Sequence, residues 1–439
     1  MSKQVVFALS LLITLGVFAW TTARIVAFFR LTKPAFPVKD WGKRFKRVLT
    51  EVFGQSKMFR RPAVGLMHAL VFWGFLVILF GSIEMVIDGL ADTERFLAVL
   101  GPVYDVLIAF GDVFALVVLV AVIAFLIRRV AMDIPRFGGE EMKHTSHLDA
   151  ILALSLIGLL MITLLGMNTA YVTYTALAGF EQKGLFPVSS LISSFLGSDL
   201  SVTTVYRVHE VNWWAHILLI FLFANILPYS KHFHVFMSVP NVFLSRLDPL
   251  GKLPNMPHIT REIRAMLHPD TEGDSSGEPA ELERFGVKDV EDITWKNYLD
   301  SLACTECGRC TAVCPARLTG KKLSPRKIIM DVRARMKEKG PGLIRKGKDF
   351  DDARSLLRDY VTEEELWACT TCNACARECP VNINHPVLIV DMRRYLVMEE
   401  ASGPAGLNAV FSNIENNGAP WQYSREDRML WAEDLYINA

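Results

Sequence analysis

The sequence predicts an all-α protein, a bundle of five transmembrane helices followed by a smaller helical domain that carries two runs of cysteines. Two features support this. The first half of the 439-residue chain holds five stretches apolar over the ~20 residues a hydrocarbon core requires, and beyond about Pro240 charged residues take over. All eight cysteines fall in that charged second half, in two tight groups. The net charge of +1 gives no reason to expect nucleic acid as a partner.

The spans are expected at about 5–29, 63–87, 103–127, 148–170 and 205–227. The first could be mistaken for a signal peptide. Its apolar run is too long, however, and it stops at Arg24 and Arg30 without a small-residue cleavage site, so it reads as a helix that stays. Lysine and arginine bias sets the orientation. The first loop carries Arg30, Lys33, Lys39, Lys43, Arg44, Lys46, Arg47, Lys57, Arg60 and Arg61, and the third carries Arg128, Arg129, Arg136 and Lys143. The second loop has only Arg95 among acids, and the fourth only Lys183. The N-terminus is therefore expected outside, and the second half in the cytoplasm across a multi-pass inner membrane.

Histidine gains nothing from facing lipid, so His68, His209 and His216 within the spans are functional-site candidates, with His232 and His234 just past Pro228. Two neutral imidazoles on facing helices can hold a haem iron, and Gly65 and Gly74 read as small neighbours leaving room for the macrocycle. Those nearest helix ends, His144, His147, His209 and His232, are more simply explained as interfacial or surface residues.

A polar stretch, His268 to Pro279, reads as a linker. The two cysteine runs follow: Cys304, Cys307, Cys310, Cys314 before Pro315, and Cys369, Cys372, Cys375, Cys379 before Pro380. Both have the C-x2-C-x2-C-x3-C-P spacing of bacterial [4Fe–4S] ligation. Three thiolates two residues apart wrap one corner of a cube, and the fourth points towards the other cluster. Cys304, Cys307, Cys310 and Cys379 are thus expected to hold one cluster, and Cys369, Cys372, Cys375 and Cys314 the other. A zinc site uses four ligands in pairs and needs neither the third cysteine nor the proline. Disulfide frameworks belong to small secreted domains. Between the runs, Ser324 before Pro325 and the Thr362-to-Glu365 capping box mark helix starts, so this domain is expected to be mostly helical.

On these residues the membrane half resembles the haem b subunit of respiratory nitrate reductase. That family takes ligands from its second and fifth helices, with two histidines eighteen residues apart and a proline six before the second. His216, Pro228 and His234 match that pattern. The resemblance implies a haem b held by His68 and His234 near the cytoplasmic face. His216 would serve a second haem, but the family's other second-helix histidine is here Ile78, so that haem needs another partner. The cysteine half resembles the helical dicluster ferredoxin domains of succinate dehydrogenase iron–sulfur subunits and heterodisulfide-reductase-type proteins.

Together the halves resemble heterodisulfide-reductase-related membrane oxidoreductases, including those of electron-transfer-flavoprotein:quinone type. The resemblance implies a transmembrane haem b domain at 1–258, a linker at 259–294, a two-[4Fe–4S] domain at 295–400 and a partner-contacting tail at 401–439. It implies a quinone-linked oxidoreductase subunit. Electrons would pass from a cytoplasmic electron-transfer flavoprotein or a Cys-Cys-Gly iron–sulfur partner, through two clusters and haem b, to membrane quinone. The alternatives are quinol-to-disulfide flow, and an anchor and relay without its own quinone site. Larger relatives continue into a domain with two Cys-Cys-Gly motifs. This chain has none, and that domain is expected in a separate subunit or cut away. Glu84, Asp88, Asp112, Glu210 and Asn225 are polar candidates for quinone protonation.

Overall fold

The computed structural model describes residues 2–196, 200–268, 284–347, 349–424 and 426–436. It is helical, with no strand among the described residues. Among the described residues, five helices are long and apolar enough to cross a membrane. They are α1 (Lys3–Ala27), α3 (Pro62–Ala91), α4 (Pro102–Val130), α5 (His144–Ala178) and α7 (Val202–Ile226). Proline at the first turn starts α3 and α4, Ser201 caps α7 by accepting from Thr204 N at 3.2 Å, and Gly179 ends α5 in the left-handed region. At 35 residues α5 is about 50 Å long, well beyond a hydrocarbon core, which is why it overruns its expected ends.

The helix α5 is central, packed against α4 and α7, while α3 lies on α4 and α1 bridges α3 and α7. Phe7, Trp213, Ile217 and Phe221 fill one part of the bundle core, and Val118, Val122, Leu160 and Leu165 another. Gly65 and Gly74 do not make room for a macrocycle. A Cβ on Gly65 would lie 2.3 Å from Met58 O, and one on Gly74 would lie 2.7 Å from Val118 Cγ2, so both serve close packing.

The five polar span residues also have structural explanations: Glu84 accepts from Leu97 N at 3.1 Å and Tyr104 Oη at 3.0 Å, and Glu210 pairs with Lys3 at 2.8 Å. Asp112 accepts from Val188 N at 2.8 Å and Ser189 N at 2.9 Å, capping the short α6 (Pro187–Ser194) in the fourth loop. Asp88 accepts from Arg95 N and Phe96 N, both at 3.0 Å, closing the turn after α3. Asn225 ties α7 to α1 through Thr14 O at 3.3 Å.

The second half sits on the end of the bundle reached by the first and third loops. In the first loop α2 (Trp41–Arg47) continues helically to Phe53. Its buried Arg44 donates to Phe243 O and Ser245 O, both at 2.8 Å, in and beyond α8 (His234–Phe243). Arg326 donates to Arg136 O and Gly138 O at 2.7 Å and pairs with Glu141 at 2.6 Å in the third loop. Lys33 exchanges backbone bonds with Ile293 and Trp295 at 2.8 and 2.9 Å.

Further along come α9 (Pro257–Leu267), α10 (Trp295–Ala303), α11 (Arg309–Ala312), α12 (Pro315–Leu318), α13 (Pro325–Lys346), α14 (Leu356–Asp359), α15 (Glu363–Trp367), α16 (Ala374–Glu378) and α17 (His385–Arg394). Both expected helix starts are present, with Ser324 capping α13 and a Thr362–Glu365 capping box on α15. Of the expected linker, residues 269–283 lie outside the described residues. Val287, Val290 and Ile293 are packed into the domain core with Ile328, Val332, Met336, Leu388 and Met392.

Arg335 of α13 is fully buried and pairs with Asp289 and Asp352, both at 2.7 Å, while Lys339 reaches Asp289 at 2.9 Å. The hydrogen bond from Arg335 holds the Asp352 carboxyl down at about 2. Burial opposes ionisation of Asp289, but Arg335 and Lys339 outweigh it and hold that carboxyl below its usual range. Both native values lie below the unfolded value of about 3.9, so their stabilisation is complete above that pH and disappears as pH falls through the native values. Acid titration followed by circular dichroism should show the domain loosening below about pH 4. Asp289→Asn should cost about 3 kcal/mol in thermal melts at neutral pH by leaving buried cations unpaired.

Candidate metal centre

The two cysteine runs share one backbone path. The residue two after the first cysteine is left-handed in both, Glu306 at φ 57° and Thr371 at φ 55°. So is the residue two further on, Gly308 at φ 72° and Asn373 at φ 60°. These reversals turn the peptide around the thiols before α11 and α16 begin. Cys314 and Cys379 then stand in extended backbone ahead of Pro315 and Pro380. Gly308 is the tightest point. A Cβ there would lie 2.4 Å from Arg136 O in the third loop. Gly308→Ala should lower domain stability by about 2 kcal/mol and reduce bound iron, read by thermal melting and iron assay.

Because α11 packs on α16, sulfurs from the two runs meet. Cys379 lies within electrostatic reach of Cys307 and Cys304, and Cys310 of Cys307, Cys304 and Cys379 and, as the weakest of these, of Cys375 in the other group. Cys375 and Cys369 lie within reach of Cys314 and Cys372. Burial pushes the Cys304 thiol up to about 11 and those of Cys375 and Cys379 to about 12, with the neighbouring sulfurs adding to the effect. Such thiols keep their protons until a metal displaces them, and soft thiolates then suit iron–sulfur clusters. Among the described residues no three His, Cys, Asp or Glu side chains converge on a single ion. A cubane instead takes one thiolate per iron.

The two groups of sulfurs have different surroundings. Cys304, Cys310 and Cys379 of one group and Cys314 and Cys375 of the other are buried, Cys307 and Cys369 are half-buried, and only in the second group is a cysteine, Cys372, exposed. Arg136 and Arg309 face Cys307, and burial draws the Arg136 guanidinium down to about 10 despite that sulfur. Between Cys304 and Cys307, the buried Glu306 pairs with Lys231 at 3.0 Å, with Arg333 and with Ser146 at the start of α5. Burial alone would raise the Glu306 carboxyl, but Arg333 and Lys231 outweigh it and keep it ionised. Sequence reasoning missed this contact. Its one clue was an acid placed inside a cysteine run that faces a basic loop.

His68 and His234 come together at this same end, within electrostatic reach of each other. His68 uses Nδ1 to bond Gln55 Oε1 at 3.1 Å, and His234 uses Nδ1 to bond Lys231 O at 3.2 Å. Each is left with Nε2 for a ligand, the arrangement in which an acceptor orients a metal-bound imidazole. Burial keeps His234 neutral, as ligation requires. His68 and His234 would be the residues to hold a haem through their Nε2 atoms.

His216 is buried deeper in the bundle, with Nδ1 3.0 Å from both Thr163 Oγ1 and Leu160 O. No second histidine faces it from α3, where Ile78 and Gly81 stand. His216 instead lines a cavity of about 390 Å³ in the half of the bundle away from the cysteines. Gly81 and Gly111 border it, and a Cβ on either would meet open space. Glu84, Asp88, Asp112, His209 and Glu210 also border it.

Residues 303–383 match the 4Fe-4S dicluster domain family. The chain is similar to the probable iron-sulfur-binding oxidoreductase FadF of Bacillus subtilis, 30% identical over 95% of this chain and 59% of the relative. It is 29% identical to the EtfAB:quinone oxidoreductase of Syntrophomonas wolfei over 87% of this chain and 53% of that protein. A probable membrane-anchored ferredoxin of Chromohalobacter salexigens is 35% identical over 34% of this chain and 24% of the relative. The chain therefore spans between half and three-fifths of the length of the first two relatives. No solved structure matches it. Along nearly its whole length the chain is thus similar to a probable iron-sulfur-binding oxidoreductase, and its second half matches a 4Fe-4S dicluster domain.

Proposed function

We propose that the chain is the membrane-bound electron-transfer subunit of a quinone-linked oxidoreductase, relaying electrons from a cytoplasmic donor to membrane quinone. The donor would be an electron-transfer flavoprotein or a Cys-Cys-Gly iron–sulfur protein. The observation that carries this reading is a succession of sites, from the cysteine group that includes the exposed Cys372, through the Cys304 group and the His68–His234 pair, to the cavity beyond. When bound, two [4Fe–4S] clusters and haem b supply the one-electron chemistry.

The chain's own residues support that order. The exposed loop at Thr370–Cys372 gives a donor access to the Cys369, Cys372, Cys375 and Cys314 group. Arg136 and Arg309 favour added negative charge at the Cys304, Cys307, Cys310 and Cys379 group, drawing electrons inward. Gln55 and the Lys231 carbonyl orient His68 and His234. From His68 to Gly81 is about 20 Å along α3, which supports an acceptor site in the opposite half of the bilayer. There Asp112 and Asp88 are committed to capping, Glu84 accepts from Leu97 N and Tyr104 Oη, and Glu210 pairs with Lys3, which leaves His209 as the group on the cavity wall to supply a proton to a reduced ring. The loop charges favour a cysteine domain in the cytoplasm.

The test is reoxidation of the reduced, purified protein by a soluble quinone analogue, followed in the haem spectrum. Gly81→Phe, which fills the cavity, should slow reoxidation about tenfold, a loss of about 1.4 kcal/mol of transition-state stabilisation. Iron and haem content should not change. Equal rates in the two proteins would mean that quinone binds elsewhere, and haem that stays reduced would favour a relay without its own quinone site.

A further inference from the structure

The basic first loop reads in sequence as a mere connection between two spans, yet thirteen of its residues are helical, Trp41 through Phe53. One face of this helix is fully used. Arg44, Val48 and Val52 are buried, the two valines against Val242 with Phe243 and Val381 beside them. The other face repeats every fourth residue as Trp41, Phe45, Leu49 and Phe53, which are 67, 59, 48 and 42% exposed. Lys39, Lys43 and Lys46 stand exposed around that stripe.

Four large apolar side chains in a row suit water poorly. Two observations say what covers them. Trp73 of α3 donates its indole N–H to Phe53 O at 2.9 Å, so the end of the stripe is fixed beside a residue of a spanning helix. The next exposed residues of α3 are Phe75 and Leu76, so the stripe runs on into the surface that faces lipid. An apolar face with tryptophan at one end and lysines along its rim is the composition of a helix lying in the plane of a bilayer surface. Cationic side chains at that depth select anionic headgroups.

We propose that Trp41–Phe53 is an interfacial helix whose stripe enters the cytoplasmic leaflet and whose lysines bind anionic phospholipid. This rests on α1 and α3 spanning the membrane but not on the identity of the electron acceptor. The helix also links the lipid surface to the cluster ligands. Glu51 accepts from Asn382 Nδ2 at 2.6 Å, and Lys57, just beyond the helix, donates to Cys379 O at 3.2 Å. Anionic lipid thereby helps seat the cysteine domain on the bundle.

The experiment uses the full chain in nanodiscs of phosphatidylcholine with and without phosphatidylglycerol. Brominated phosphatidylglycerol should quench the fluorescence component lost in Trp41→Phe. In native mass spectrometry the triple variant Lys39→Gln, Lys43→Gln, Lys46→Gln should retain phosphatidylglycerol about tenfold less than the parent. Its thermal melt in phosphatidylcholine should be unchanged, because all three side chains are exposed. An unquenched Trp41, or equal retention of phosphatidylglycerol by the two proteins, would overturn the proposal. So would dimers that Phe45→Glu abolishes, since the stripe would then be a contact between copies.

Discussion

Cys379→Ala should halve the iron bound by the protein and spare the cluster held by the run in which Cys379 itself stands. This follows from the meeting of α11 and α16, which puts the Cys379 sulfur beside Cys304 and Cys307 rather than with Cys369 and Cys372. Cys314→Ala is the mirror experiment, since Cys314 lies with Cys369 and Cys375. With four irons per cluster, each variant should fall from about eight irons per chain to about four. Electron paramagnetic resonance of the reduced protein distinguishes the two outcomes. The signal surviving in Cys379→Ala should be the one that Cys372→Ala removes. If Cys379→Ala and Cys372→Ala instead removed the same signal, the ligand sets would not cross between runs. Metal binding and folding are coupled, so Cys379→Ala should also lower the melting temperature of the domain more than Cys314→Ala. The reason is position. The group containing Cys379 lies at the junction with the bundle, where Lys57 holds Cys379 O and Arg326 holds the third loop.

Cysteine spacing and apolar length were legible because each is a local pattern with a single physical meaning. The five spans, the capping box at Thr362–Glu365 and the Ser324–Pro325 start are where the sequence put them, although α5 runs on to Ala178, two turns past its expected end. Contacts between distant segments were not legible. Nothing local distinguishes Gly65, which lets α3 approach Met58, from a glycine that makes room for a cofactor. Asp112 looked like a group for proton transfer because its partners, the first N–H groups of α6, lie some 75 residues further on. The helix at Trp41–Phe53 was hidden by its own lysines, which marked the segment as a loop in a charge count. Its period of four is visible only once one face is known to be buried. Gln55, Lys231 and Glu306 escaped for the same reason, since each acts on a residue of another segment.

Loss of haem is the second large effect, and its pattern across three histidines is the informative part. His234→Ala should abolish the haem absorption of the purified protein, and His68→Ala should do the same. Each removes one of two facing imidazoles at the domain-bearing end of the bundle. His216→Ala should keep the haem spectrum, because α3 offers no second histidine to pair with His216 and both His216 and Ile78 line the open cavity. If His216→Ala instead lost half the haem, a second haem would occupy the cavity, and quinone would have to bind elsewhere. Gln55→Leu tests whether the Nδ1 contact matters. It leaves His68 in place but removes the acceptor 3.1 Å away, so haem should be retained with affinity weakened tenfold or more. A loss of haem in Gln55→Leu as complete as in His68→Ala would mean that the α3 segment had moved, not that one bond was gone. Retention of haem in both His68→Ala and His234→Ala would remove the cofactor from this end of the bundle altogether. The cysteine domain would then need another route to the acceptor, and Glu306 with Lys231, which now join it to His234, would be structural contacts only.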